Sequence, residues 1–178
     1  MNIYVSVGTH EQAFQRLLNS VSEVIAQSDD HRWVVQFGVG SWSVVSDRVV
    51  RAVDYFTPDE VDSTLQWADF MVSQASPGNV FGALEAGVWP LVLGRRRGER
   101  EHVDDHQVRF AAALASMGLA TDILDENRLS QVIASVANTS ASDRAALIRM
   151  GMDSSAVRQR QFRSEAWAHI FGTKGARA

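Results

Sequence analysis

Cysteine is absent from the 178 residues, which rules out both a disulfide framework and thiolate chemistry and is compatible with a cytoplasmic setting. A basic excess is absent too. The formal charge is −4, whereas general nucleic-acid binding needs a basic stripe to neutralise phosphates, so no nucleic-acid partner is expected. No apolar run approaches the roughly 20 residues that a bilayer span requires. The opening MNIYVSVG is short, uncharged and broken at Gly8, which fits neither a signal peptide nor a span. A soluble protein is therefore expected, with any membrane association made through a partner or a surface. Internal repeats and low-complexity segments are missing as well.

What is present is apolar material for one core. Hydrophobic residues make up 46% of a chain whose length fits one domain with a small extension. Ile3, Tyr4, Val5 and Val7 form a β-branched and aromatic run ended by Gly8 and Thr9. Phe14, Leu17, Leu18, Val21 and Ile25 then recur at helical steps. Further strands are expected at Trp33 to Gly38, Ala52 to Phe56, Phe70 to Gln74, Pro90 to Leu93 and Leu119 to Ile123. Helices are expected from Pro58, from Pro77 to Ala86 with Gly87 as the stop, around Phe110 to Met117, and at Arg128 to Val136. This alternation predicts an α/β fold, a Rossmann-like parallel sheet with helices on both faces. Ligands of such sheets bind at the carboxyl ends of the strands. Residues 1–152 are expected as this domain. Asp153 to Phe171 reads as a helix that either packs back on the domain or docks a partner, and 172–178 as a flexible tail.

Three loops have the composition for chemistry. In VSVGTHEQAF, a strand runs through Gly8, Thr9 and His10 into a helix. That arrangement suits an anion on backbone N–H groups, and equally an ordinary strand-to-helix turn. In SQASPGNVFGALEAG, Ser76 and Pro77 match an N-cap and first helical position, so the N–H groups of Gly78 and Asn79 point toward a diphosphate or simply open a well-capped helix. In GEREHVDDHQVRF, the side chains of Glu101, His102, Asp104, Asp105, His106 and Gln107 crowd one junction. Arg95, Arg96, Arg97 and Arg100 lie beside them. Hydrogen bonding to sugar hydroxyls suits this set, with the arginines neutralising phosphate or an anionic sugar; a solvated charge run is the alternative. The two histidines are four apart without an HExxH pattern, so no metal is expected. Gly38 to Ser41 imitates a dinucleotide fingerprint, but Ser43 stands where the third glycine belongs and no helix pattern follows, which excludes a nicotinamide site.

In their order these segments resemble the carboxy-terminal domain of glycosyltransferase family 28, above all its short single-domain members. Those are the catalytic subunits of split UDP-sugar transferases of bacterial exopolysaccharide synthesis and of eukaryotic dolichyl-diphosphate N-acetylglucosaminyl transfer. The carrying residues are VSVGTHEQAFQRLL, Gln36-Phe37-Gly38, Tyr55 with Ala68-Asp69, and EHVDDHQ at Glu101 to Gln107, across roughly residues 1 to 122. The resemblance implies the C-terminal lobe of a GT-B enzyme that binds a UDP-sugar. Donor-binding positions would be Gly8, Thr9, His10, Gln74, Ser76, Pro77, Gly78, Asn79, Arg95, Arg97, Glu101, His102, Asp105, His106 and Gln107. It also implies inverting transfer without a metal or other cofactor. The acceptor site and catalytic base would lie on a membrane-anchored partner subunit handling a lipid-linked saccharide, with this chain held at the inner face of the membrane. The chain departs from the pattern where relatives read approximately His-Gly-Gly-Pro-Gly-Thr, having Gln74-Ala75-Ser76-Pro77-Gly78-Asn79. A glutamate that reaches the ribose in relatives falls on Gly82. Those departures open the alternative of a non-catalytic binding or scaffolding homologue.

Overall fold

A computed structural model describes residues 1–27 and 30–153. The elements run β1 (Asn2–Ser6), α1 (Gln15–Gln27), β2 (Arg32–Gln36), β3 (Val49–Val53), α2 (Pro58–Trp67), β4 (Phe70–Gln74), α3 (Pro77–Glu85), β5 (Trp89–Leu93), α4 (His106–Ser116), β6 (Thr121–Asp122) and α5 (Leu129–Ala137). A 3-10 turn, Glu126–Arg128, leads into α5. Residues 141–153 are also helical. The helix expected from Asp153 onward and the tail after it lie, apart from Asp153, outside the described residues.

All strands pair in parallel in the order β3-β2-β1-β4-β5-β6. Alternation along the central strands explains the two-sided core. Ile3, Val5, Trp33, Val35, Phe70 and Val72 join the apolar faces of α1 and α5, whereas Tyr4, Val34 and Met71 meet Leu65 of α2 and Ala83 of α3. Strands buried on both faces read as near-continuous apolar runs, which is why β1, β4 and β5 were plain in the sequence.

Three strands differ from expectation by more than one residue. β2 ends at Gln36 rather than Gly38, and β3 runs from Val49 to Val53 rather than from Ala52 to Phe56, its last ladder partner being Gln36. Beyond that point Phe56 turns inward, edge-on to the Tyr4 ring at 6.0 Å, with the Arg51 guanidinium 4.7 Å from its centroid. β6 keeps only Thr121 and Asp122, since Leu119 and Ala120 belong to the turn after α4. The Gly38 to Ser41 stretch is a turn with no helix after it.

Helix ends follow local chemistry. Thr57 caps α2 in a reciprocal box, its hydroxyl accepting from the Glu60 N–H while the Glu60 carboxylate accepts from the Thr57 N–H. Gly87, at φ +77°, stops α3 in a left-handed conformation that favours glycine. The order also fixes where a ligand can sit. The chain builds outward from β1 to β3, then crosses to β4 on the other side of β1. The connections that leave the carboxyl ends of β1 and β4 therefore run to opposite sides of the sheet, which makes this a topological switch point, where such sheets bind ligands.

The capping box gives a pH test. Hydrogen bonding to the Thr57 backbone, then to Arg51, lowers the Glu60 carboxyl from 4.5 to about 2. A depressed folded-state value makes this contribution complete above about 4.5 and lost as pH falls through about 2. The stability difference between the native chain and Glu60→Gln, read from urea midpoints, should stay constant from pH 7 to 5 and shrink toward pH 2.

Candidate functional site

The crevice at the switch point is built on Arg95, two residues beyond β5. Arg95 is only 1% exposed. Its Nε donates to Gln74 Oε1 (2.7 Å), Nη1 to the carbonyls of Gln12 (2.7 Å) and Glu101 (3.0 Å), and Nη2 to that of Val7 (2.8 Å). Its guanidinium carbon lies 4.7 Å from the Phe14 ring centroid. Burial pushes it down to about 10, opposed by the charge of Glu101, so it stays cationic at neutral pH. One side chain thus fastens the β1–α1 loop, the end of β4 and the β5–α4 loop together.

Glu101 provides the counter-charge. It is 4% exposed and takes a bidentate pair from Arg16 Nε (3.0 Å) and Nη2 (2.8 Å), plus the Arg96 N–H at 2.9 Å. Arg16 also reaches Glu126 at 2.8 Å and the Gly94 carbonyl at 2.9 Å. Gln107 is buried as well, its amide within 3.4 Å of both Gln74 Oε1 and the Arg95 N–H. Gly94 lets α4 approach closely, for a Cβ there would lie 2.7 Å from the Val108 backbone. Gly8, at φ +76°, lies against Gln74, whose Nε2 would be 1.9 Å from a Cβ at that position.

The residues singled out in the sequence therefore separate into two layers. Gly8, Gln74, Arg95, Glu101 and Gln107 form a buried frame. Of these, Arg95 is bonded to the surrounding segments and Glu101 is paired with Arg16, so both charges are engaged within the frame. Facing outward are Thr9, Pro77, Gly78, Arg97, Asp105 and His106, with His10, Ser76, Asn79 and His102 half-buried among them. Of the arginine run, Arg96 turns to Glu126 (3.6 Å) and Asp125 (3.8 Å), so Arg97 and Arg100 are the members left exposed.

At α3, Ser76 holds the N-cap position with extended backbone, but its hydroxyl makes no capping bond. The first-turn N–H groups of Gly78 and Asn79 therefore keep their partial positive charge uncompensated. Asn79 Nδ2 is buried without a partner. A Cβ at Gly82, one turn on, would meet nothing within 4 Å. The rings of His10, His102 and His106 meet in series, the first pair tilted by 41° and the second edge-on at 82°, with centroid separations of 4.7 and 4.5 Å. Burial, then the neighbouring imidazoles, lowers the His102 value, against the pull of Asp104. The Asp105 carboxylate accepts from the Arg97 N–H at 2.8 Å.

Sequence reasoning missed Arg16, Gln12 and Val7, whose contributions come through pairs remote in the chain or through backbone carbonyls. A cleft of about 610 Å³ beside the frame is lined by Glu23, Glu99, Glu101 and Glu126 against Arg16 and Arg100. Its carboxylate-rich wall does not suit an anionic ligand.

The doubly wound lobe has the architecture of the C-terminal lobe of GT-B glycosyltransferases. The sequence matches the glycosyltransferase family 28 C-terminal domain over residues 2–159, and the chain belongs to that family. Its fold is similar to the glycotransferase of kitacinnamycin (TM-score 0.63, 21% identity, 90% of this chain and 43% of that one). It is similar too to SnogD from Streptomyces nogalater (0.64, 19%, 86% and 39%). The spinosyn rhamnosyltransferase SpnG complexed with thymidine diphosphate gives 0.60 at 14% identity, over 90% and 45%. The chain spans less than half the length of each of these structures. No curated protein sequence matches it.

The frame and the rim should respond differently to substitution. Arg95→Met strands one side-chain and three carbonyl acceptors and is expected to destabilise by about 3–5 kcal/mol. Arg97→Ala should stay within about 0.5 kcal/mol of the native chain. Denaturant titration of both variants measures this; equal effects would dissolve the distinction between frame and rim.

Proposed function

We propose that this chain is the donor-binding half of an inverting glycosyltransferase that takes a UDP-sugar. A separate, membrane-anchored subunit supplies the acceptor lobe and catalytic base, and the sugar passes to a lipid-linked saccharide in surface-polysaccharide synthesis. The observation that carries the reading is the uncapped start of α3 facing the Gly8–Thr9 turn across the switch point. Free first-turn N–H groups and a glycine turn on opposite walls suit a diphosphate, whose charge the helix dipole favours. Thr9, Gly78 and Asn79 hold the diphosphate, with Ser76 beside them. Asp105 and His106 orient the sugar above the buried Gln107 amide, and Arg97 meets an anionic sugar such as a uronic acid. No metal takes part in the transfer.

Support for a separate acceptor subunit comes from the resemblance to short single-domain family members in VSVGTHEQAF and EHVDDHQ. Among the described residues no helix is long and apolar enough to cross a membrane. A second reading, a binding subunit without chemistry, is favoured by one observation. Gln74 lies against Gly8 and is held there by Arg95, at the position where the family pattern has histidine.

Titration calorimetry of the chain with UDP, UDP-glucose, UDP-glucuronic acid and UDP-N-acetylglucosamine tests the assignment, alone and with the acceptor subunit. Binding of one nucleotide sugar followed by turnover in the pair is the expected result. Partner binding without donor affinity establishes the second reading, and no binding in either state removes both. Gly82→Glu gives a sharper test. A Cβ there meets nothing within 4 Å, and a carboxylate on the ribose hydroxyls should tighten UDP about ten- to a hundredfold. The variant should also gain roughly 0.5–1 kcal/mol in stability from losing a mid-helix glycine. Higher stability with unchanged UDP affinity would mean that the ribose does not lie over α3.

A further inference from the structure

The geometry points to a binding site for a borderline divalent metal ion such as Zn²⁺, formed by His102, Asp104 and His106 at the rim of the crevice. Nitrogen or carboxylate donors of these three residues lie within 4.8 Å of one another. Asp104 Oδ1 is the shared centre, 2.5 Å from His106 Nδ1 and 3.6 Å from His102 Nδ1. Ligands of tetrahedral zinc, each 2.0–2.2 Å from the ion, are roughly 3.3 Å apart. One spacing is already close to that value. The other must open by somewhat under about 1 Å, which Asp104 and His106 can do because their side chains are 53% and 50% exposed.

His102 is the anchoring donor. Its side chain is 12% exposed, and its one hydrogen bond among the described residues is a long 3.5 Å contact accepted from the Asp104 N–H. The ring is held between a tilted contact with His10 and an edge-on contact with His106. His10 is itself oriented from the far loop, its Nδ1 accepting the Gln12 N–H at 3.2 Å. Gln12 is one of the residues whose carbonyl Arg95 holds. A donor ring set in place by a second ring and the buried frame loses little freedom on binding an ion. Two imidazoles and one carboxylate suit Zn²⁺, Co²⁺ or Ni²⁺ and do not suit Mg²⁺. Three protein ligands leave a coordination position for water or a ligand oxygen. The absence of HExxH does not weigh against this, because the donors converge through a loop-to-helix junction and not along one helix.

The test is calorimetric titration of the metal-free full chain with Zn²⁺ in the absence of nucleotide, repeated with Co²⁺ while following its visible absorption. Binding without nucleotide stands or falls apart from the sugar-transfer reading. One equivalent of Zn²⁺ at micromolar affinity is expected, with His106→Ala and Asp104→Asn each weakening it by at least about tenfold at unchanged denaturation midpoints. His10→Ala should weaken it less, through the loosened His102 ring. Failure to bind at about 1 mM Zn²⁺, far above that affinity, would overturn the proposal and leave an ordinary His106–Asp104 ion pair. So would undiminished binding in both variants, which would move the donors elsewhere, to His31 or His169.

Discussion

The arrangement of the crevice depends on one buried cation. A guanidinium removed from water is costly unless its N–H groups and its charge are both met. Arg95 meets this with four hydrogen bonds into three separate segments, and with Glu101, whose own charge is balanced by the bidentate Arg16. The planar fork matters here, because lysine would offer a point charge without fixed directions. Since these acceptors lie in the β1–α1 loop, at the end of β4 and in the β5–α4 loop, the relative position of the three segments follows from the geometry of one side chain.

That dependence explains what the sequence disclosed and what it hid. Strands buried on both faces and helices with apolar stripes are local patterns, and the α/β architecture followed from them. The site loops were legible too, because glycine turns and polar junctions after strands mark where such sheets bind ligands. The layering within the loops was not. Arg95 joins residues 83 and 88 positions away, so nothing local separates it from its exposed neighbour Arg97. Glu101 stands in a charged run that reads as solvated, and its burial depends on Arg16, 85 residues distant. The misplaced end of β3 has the same origin, since a half-exposed edge strand takes its limits from the strand it pairs with.

The departures from the family pattern gather on one wall. Gln74 occupies the start of the β4–α3 turn and is tied down, while Gly82 leaves room where relatives carry a carboxylate. The first change stiffens the side proposed for the diphosphate, and the second empties the side proposed for the ribose. A nucleotide held here would rely on backbone N–H groups more than on charged side chains, a mode of recognition that tolerates variation in the sugar-nucleoside part.

The position of β1 has a consequence for biogenesis. This strand is made before every other described element, yet it lies in the interior of the sheet, with Ile3 paired to Phe70 on one side and Trp33 on the other. At about 5–20 residues per second of synthesis, β1 waits several seconds for β4, its apolar edge open throughout. Such non-local parallel pairing is intrinsically slow to form. The nascent chain therefore passes through an aggregation-exposed stage, and its yield in a cell will depend on chaperone capacity and translation speed as well as on the stability of the finished fold.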